Sequence, residues 1–243
     1  MSMDQLRKIA EEAAKDVKPG THVCKYCSQG FVRESTLAVH QCEPKRRDQQ
    51  QHEKGVIIGF NAWLRFFELT QGSAKFKTYA DFCNNTFYNA FVKFGRHCVS
   101  INAINTSQFT DYVLKQQLKI DNWCKDKVYD EYLHLLLRNE NSSDALERSI
   151  LTMQDWAEDT NNDITQYFES VSNGRFVQHI INGRISPWVL YCCDSGIAKL
   201  ETLTEEHVSM VIKQIDPDFW QRKLRDYPAD AEMTKHILSQ ANF

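Results

Sequence analysis

The sequence predicts a mainly α protein, a multi-helix globular body with a small ββα-like unit near its N-terminus. Three observations lead to this expectation. From Gly55 onward, apolar residues recur at helical steps, as in Ile57, Phe60, Leu64 and Phe67. In Ser186-Pro187-Trp188 and Asp216-Pro217-Asp218, a polar residue able to accept from free helix N–H groups stands before a proline suited to the first turn. Outside a short segment at 22–31, no run alternates well enough to form a strand.

The elements follow in order. Leu6, Ile9, Ala10, Ala13 and Val17 give residues 1–19 an amphipathic helix, ended by Pro19-Gly20. Residues 20–43 hold a hairpin at about 22–31 and a short helix at about 34–40. Residues 44–54, with Lys45-Arg46-Arg47 and Asp48-Gln49-Gln50-Gln51, read as a basic and polar linker in preference to the start of the next helix. The helical domain then spans 55–243. Its first helix, at 56–70, is apolar nearly all round and is stopped by Gln71-Gly72-Ser73. Thr78, with Asp81 three residues on, caps an aromatic-rich helix running to Gly95. Further helices are expected at 107–118, 126–139, 143–159, 164–171, 174–182, 187–200, 204–214, 217–225 and 229–241.

Within 20–43 the spacing dictates chemistry. Cys24 and Cys27 enclose two residues, the tight turn that lets two thiolates share one metal, and His40 and Cys42 return after room for a helix. Four such donors suit a tetrahedral Zn²⁺. His40 and Cys42 would point about 200° apart on a continuous helix, so the helix must stop near His40. Pro44 is expected to help by disfavouring helix in the residue before it. His52 is a substitute fourth ligand, although Cys42 is nearer and softer; His22 reads as a loop residue. The plain alternative is a set of buried thiols.

Phe31 lies four residues after Cys27, and Leu37 three before His40, where a zinc finger with two cysteine and two histidine ligands carries its miniature core. In these residues the segment 22–42 resembles that two-cysteine, two-histidine zinc-finger family, as a variant whose last histidine is replaced by a cysteine. The resemblance implies DNA contact through Arg33, Thr36 and Val39, with Arg33 the one strong reader through guanine O6 and N7. Lys45, Arg46 and Arg47 would add phosphate contacts that raise affinity without specifying sequence. Set against this, Arg33 and the basic triplet read equally as solvated charges. Two further blocks resemble proteins of tailed bacteriophages, a group that looks like an uncharacterised zinc-finger family. One runs from Gly59 to Phe82; the other joins Gly183-Arg184-Ile185-Ser186-Pro187-Trp188 with Asp216-Pro217-Asp218-Phe219-Trp220. This implies a phage source and no activity.

Bulk properties narrow the classes. A net charge of −3 over 243 residues argues against a protein basic throughout, so nucleic-acid affinity must be local. Basic residues outnumber acidic ones between Gly20 and Lys54. The polar start, Met-Ser-Met-Asp-Gln-Leu, shows no apolar signal segment, which leads to the expectation of a reducing compartment, the cytoplasm. The most apolar run is too short to span a membrane. Cys83, Cys98, Cys124, Cys192 and Cys193 read as core thiols. No phosphate loop, dinucleotide fingerprint or His-Glu-x-x-His is present.

The expected role is therefore non-catalytic binding of nucleic acid, with duplex DNA the favoured partner. A structural or protein-interaction adaptor with a structural zinc site is the alternative. A metal-dependent nuclease using Asp126, Asp130, Glu131 and His134, joined by Asp216 and Asp218, is the third reading. Charged helix faces of that kind are usually solvated.

Overall fold

The computed structural model describes residues 22–72 and 76–243; the helix expected within 1–19 lies outside them. The chain divides between Cys124 and Lys125 into two compact units, where the sequence suggested one body over 55–243.

The first unit opens with a two-stranded antiparallel hairpin, β1 (His22–Val23) and β2 (Gly30–Phe31), then helix α1 (Glu34–Val39). A helix, α2 (Glu43–Gln49), follows where a linker was expected. Pro44 sits in its first turn, where no N–H partner is needed, and Glu43 pairs with Arg46 and Arg47 one turn on. Pro44 thus helps to start a helix rather than to keep its neighbour extended. The extended residue is Cys42, the N-cap of α2.

Helices α3 (Lys54–Gln71) and α5 (Tyr88–Ser100) form the frame of this unit, with α4 (Tyr79–Cys83) and α6 (Thr106–Lys115) beside α3. The α3–α5 crossing is built on glycine. A Cβ on Gly95 would lie 1.9 Å from the Gly55 carbonyl oxygen and 2.6 Å from the Gly59 nitrogen. Gly95 therefore marks the close approach of two backbones, and α5 runs on past it to Ser100. Thr78 and Asp81 cap each other reciprocally as expected, but that helix stops at Cys83 and a new one starts at Tyr88. Trp63, Phe82, Tyr88, Phe91, Phe94, Phe109 and Trp123 form the buried aromatic core. Helix α3 is less enclosed than its apolar run suggested, with Ile57 and Leu69 exposed.

The second unit is helical throughout: α7 (Asp126–Asn139), α8 (Ser142–Thr160), α9 (Tyr167–Ser170), α10 (Asn173–Ile181), α11 (Pro187–Tyr191), α12 (Asp194–Glu201), α13 (Glu205–Ile215), α14 (Pro217–Asp226) and α15 (Pro228–Gln240). Its core gathers Met153, Trp156, Tyr167, Phe176, Ile180, Trp188, Val189, Trp220 and Leu238. The single helix expected over 187–200 is broken at Cys192, because Cys193 is extended and its sulfur accepts the Gly196 N–H, capping α12. A buried polar network fixes the turn before α11. Glu140 receives both ends of the Arg148 guanidinium at 2.7 and 2.8 Å and the Ser186 hydroxyl at 2.9 Å, while Arg148 Nε donates to the Gly183 carbonyl. Asp216 caps α14 through the Phe219 N–H and pairs with Arg138, so the two proline-marked starts have a structural account.

Candidate metal centre

The metal centre is assembled from three elements. The hairpin supplies Cys24 and Cys27, with Ser28 in the left-handed region at φ 60° to close the turn and the Ser28 N–H bonded to the Cys24 carbonyl. Helix α1 ends at Val39, leaving His40 extended at φ −65°, ψ 125°, and Cys42 is extended again before α2 begins. These extended positions let the imidazole and the thiol converge, as the two-residue spacing required. Phe31 packs against the His40 ring at 4.6 Å.

The ligand atoms of Cys24, Cys27, His40 and Cys42 all lie within 4.8 Å of one another. Cys24 Sγ is 3.8 Å from Cys42 Sγ, and Cys27 Sγ is 3.3 Å from His40 Nε2. Bonds of ~2.3 Å to sulfur in a tetrahedron give an S···S edge of ~3.8 Å, so the first spacing is that of two thiolates on one zinc. Burial opposes ionisation of Cys24, but backbone N–H groups of Tyr26 and Cys27 lower its pKa to about 7, toward the thiolate a metal needs. Three thiols and one imidazole fit a closed structural Zn²⁺ site. His52 is exposed and outside the cluster, and Cys42 takes the fourth place.

The module is tied to the helices that follow it. Tyr26 Oη donates to Asp48 Oδ2 at 2.9 Å, and Lys45 Nζ to the His40 carbonyl at 2.9 Å, at the end of α1. Arg47 bonds the Cys83 carbonyl, pairs with Glu43 and lies 4.3 Å above the Tyr88 ring; Tyr79 Oη donates to the Arg47 carbonyl at 2.7 Å. All three members of the basic triplet therefore have intramolecular partners: Lys45 and Arg47 bond carbonyls of other elements, while Arg46, the most exposed of the three, pairs only with Glu43 within its own helix. These links were not apparent from the sequence, because Tyr26, Cys83 and Tyr88 are distant from the triplet along the chain.

Arg33, Thr36 and Val39 are all exposed, and their three-residue steps along α1 set them on one side. Among the described residues, no partner engages the Arg33 side chain. The carboxylates considered for a nuclease do not converge: among the described residues, Cys24, Cys27, His40 and Cys42 are the one group of three or more His, Cys, Asp or Glu with metal-binding proximity. Glu131 faces Lys127, and Asp216 serves α14 and Arg138. Burial raises the Cys98 thiol to about 12 and the Cys192 thiol to about 11, as inert core thiols require, and all eight cysteines are free. Among the described residues, no helix is long and apolar enough to cross a membrane. No protein-family profile, curated protein or solved structure matches the chain.

Proposed function

We propose that the chain is a non-catalytic zinc-finger protein that binds duplex DNA through the outer side of α1, in the reducing cytoplasm of a cell hosting a tailed bacteriophage. The observation that carries the DNA reading is the state of that side. Arg33 is exposed and unpartnered among the described residues, Thr36 and Val39 lie beyond it, and a zinc held by the four ligands would join the ties to α2 in fixing the short helix. A guanidinium fork held at a helix start suits guanine in the major groove. The six-residue helix limits base contact to about three base pairs, so further contacts must contribute affinity. The phage source rests on the two sequence blocks alone.

Duplex binding measured against salt tests this reading. Arg33→Ala should cost about 1–3 kcal/mol on a preferred site and little elsewhere, leaving the salt slope nearly intact. Arg46→Ala should instead weaken binding to all sequences and make the slope shallower by about 0.9. Lys45→Ala and Arg47→Ala should act chiefly on stability. Absence of salt-sensitive binding to any duplex at micromolar zinc-loaded protein overturns the reading. The adaptor reading would then stand, and one observation favours it: Val23, Val32 and Val39 are 51%, 79% and 77% exposed on this small module. Apolar side chains held in water suit a protein surface better than phosphates.

A further inference from the structure

The second unit carries an open groove of about 370 Å³ lined by Arg138, Phe219, Arg222, Lys223, Asp226 and Tyr227. Two of its three cations, Arg222 and Lys223, lack the paired carboxylate that usually neutralises such groups, while the third, Arg138, pairs with Asp216. Among the described residues no acidic side chain is within ion-pair distance of Arg222 or Lys223; Arg222 Nε donates to the Asp218 carbonyl, and Lys223 Nζ to that of Arg138. The Lys223 ammonium lies 5.5 to 5.7 Å from the ring centres of Trp188, Trp220 and Tyr227. Arg138 stacks 4.1 Å over Phe219 while pairing with Asp216. Tyr227 leaves 54% of its surface exposed beside these charges.

We propose that this groove binds single-stranded nucleic acid, with Arg222 and Lys223 meeting a phosphate and Tyr227 stacking a base. Charge and flat aromatic surface occur together here, and that pairing separates a nucleotide chain from a simple anion. A phosphate answers the unneutralised cations, while a base has a face to lay on the phenol ring. Burial lowers the Lys223 pKa, so an anion brought beside it would relieve the cost of holding an ammonium there. An acidic peptide would satisfy the cations but has no use for the exposed ring. The site lies within the second unit and does not depend on the zinc module, so this inference stands or falls apart from the duplex reading.

The test is fluorescence anisotropy of the full, zinc-loaded chain with a labelled oligothymidylate, titrated across salt. Tyr227→Ala and Arg222→Gln should each weaken binding at least about five-fold, the first through lost stacking and the second through a lost phosphate contact. Arg222→Gln should also make the log–log salt slope shallower by about 0.7, and Tyr227→Ala should leave it unchanged. Asp226→Asn, which removes the one acid lining the groove, should tighten binding. Both weakened residues are exposed, so circular dichroism should report an unchanged fold. A Cys24→Ser, Cys27→Ser double variant, stripped of zinc, should still bind oligothymidylate, which separates this site from the finger. Three outcomes overturn the proposal: no binding by the intact chain, unchanged affinity in a folded Arg222→Gln, Tyr227→Ala double variant, or displacement by polyglutamate or inorganic phosphate at matched charge as effectively as by unlabelled oligonucleotide.

Discussion

Cys42 and His179 illustrate how much depends on where one donor atom is placed. Cys42 completes the zinc set because the chain is extended at both His40 and Cys42, while His52 stays exposed beyond the end of α2. Purified protein should therefore contain about one Zn²⁺ per chain, lost on Cys24→Ser or Cys27→Ser, and Cys42→Ser should weaken zinc binding far more than His52→Ala. Metal analysis giving the opposite ranking would move the fourth ligand to His52. His179 Nδ1 sits 2.6 Å from Tyr167 Oη, and burial first, then Arg175 and Arg184, lower its pKa to about 4. The neutral ring and the phenol share one hydrogen bond. Since the imidazole of the unfolded chain takes up its charging proton near the ordinary 6.5 and that of the folded chain only near 4, this group's contribution to the second unit's stability is fully present above the upper value and is lost progressively as pH falls toward the lower one. Denaturant unfolding at several pH values should show this loss, and His179→Gln should reduce it. An NMR titration giving His179 an ordinary pKa would sink the argument.

Among the elements, the α3–α5 crossing has the least room for change. Gly55 and Gly59 stand one helical turn apart on α3, and Gly95 brings the α5 backbone against them. Gly95→Ala would place a methyl group onto a carbonyl oxygen, which no side-chain rotation relieves. Its cost should reach at least about 3 kcal/mol, the upper end for overpacking. Gly174→Ala is the control, since a Cβ there meets nothing within 4 Å and alanine suits a helix by up to about 1 kcal/mol. Equal urea midpoints for the two variants would contradict this reading of the crossing. In the second unit the helix starts are secured by capping, and Asn141, Ser172, Ser186, Thr204 and Asp216 each accept a backbone N–H there. A polar side chain there satisfies a donor that would otherwise be unpaired.

For the whole molecule, the division into two units sets what zinc removal should do. The second unit has its own core of tryptophans and aliphatic residues, containing no zinc ligand. In the first unit, the metal module contacts α2 through Tyr26–Asp48 and Lys45–His40, and α2 reaches α4 and α5 through Arg47. Chelation should lower the thermal transition of the first unit, abolish duplex binding, and leave the transition of the second unit and most of the far-ultraviolet helical signal in place. Calorimetry showing one transition that collapses throughout on chelation would mean that the units fold as a single cooperative body.

The sequence by itself determined the helical class, the zinc ligands and many helix starts, because each depends on residues close along the chain: a thiol pair enclosing two residues, a cap before a proline, apolar residues at helical steps. The early end of α1 was legible for the same reason, since two ligands at that spacing cannot share a continuous helix. Tertiary structure alone decided the rest. Pro44 fits a first turn as well as a bend, and only the partners that α2 finds in Tyr26 and Tyr79 chose the helix. Gly95 reads locally as a stop, whereas the α3 backbone against it makes it an interior contact. The charges moved furthest in meaning. Lys45 and Arg47 look like free cations in sequence and are engaged by carbonyls and a ring, while Arg222 and Lys223, unremarkable among charged neighbours, share a groove with exposed aromatic surface. Charge is written in the sequence, but the groups that neutralise it are brought together only by the fold.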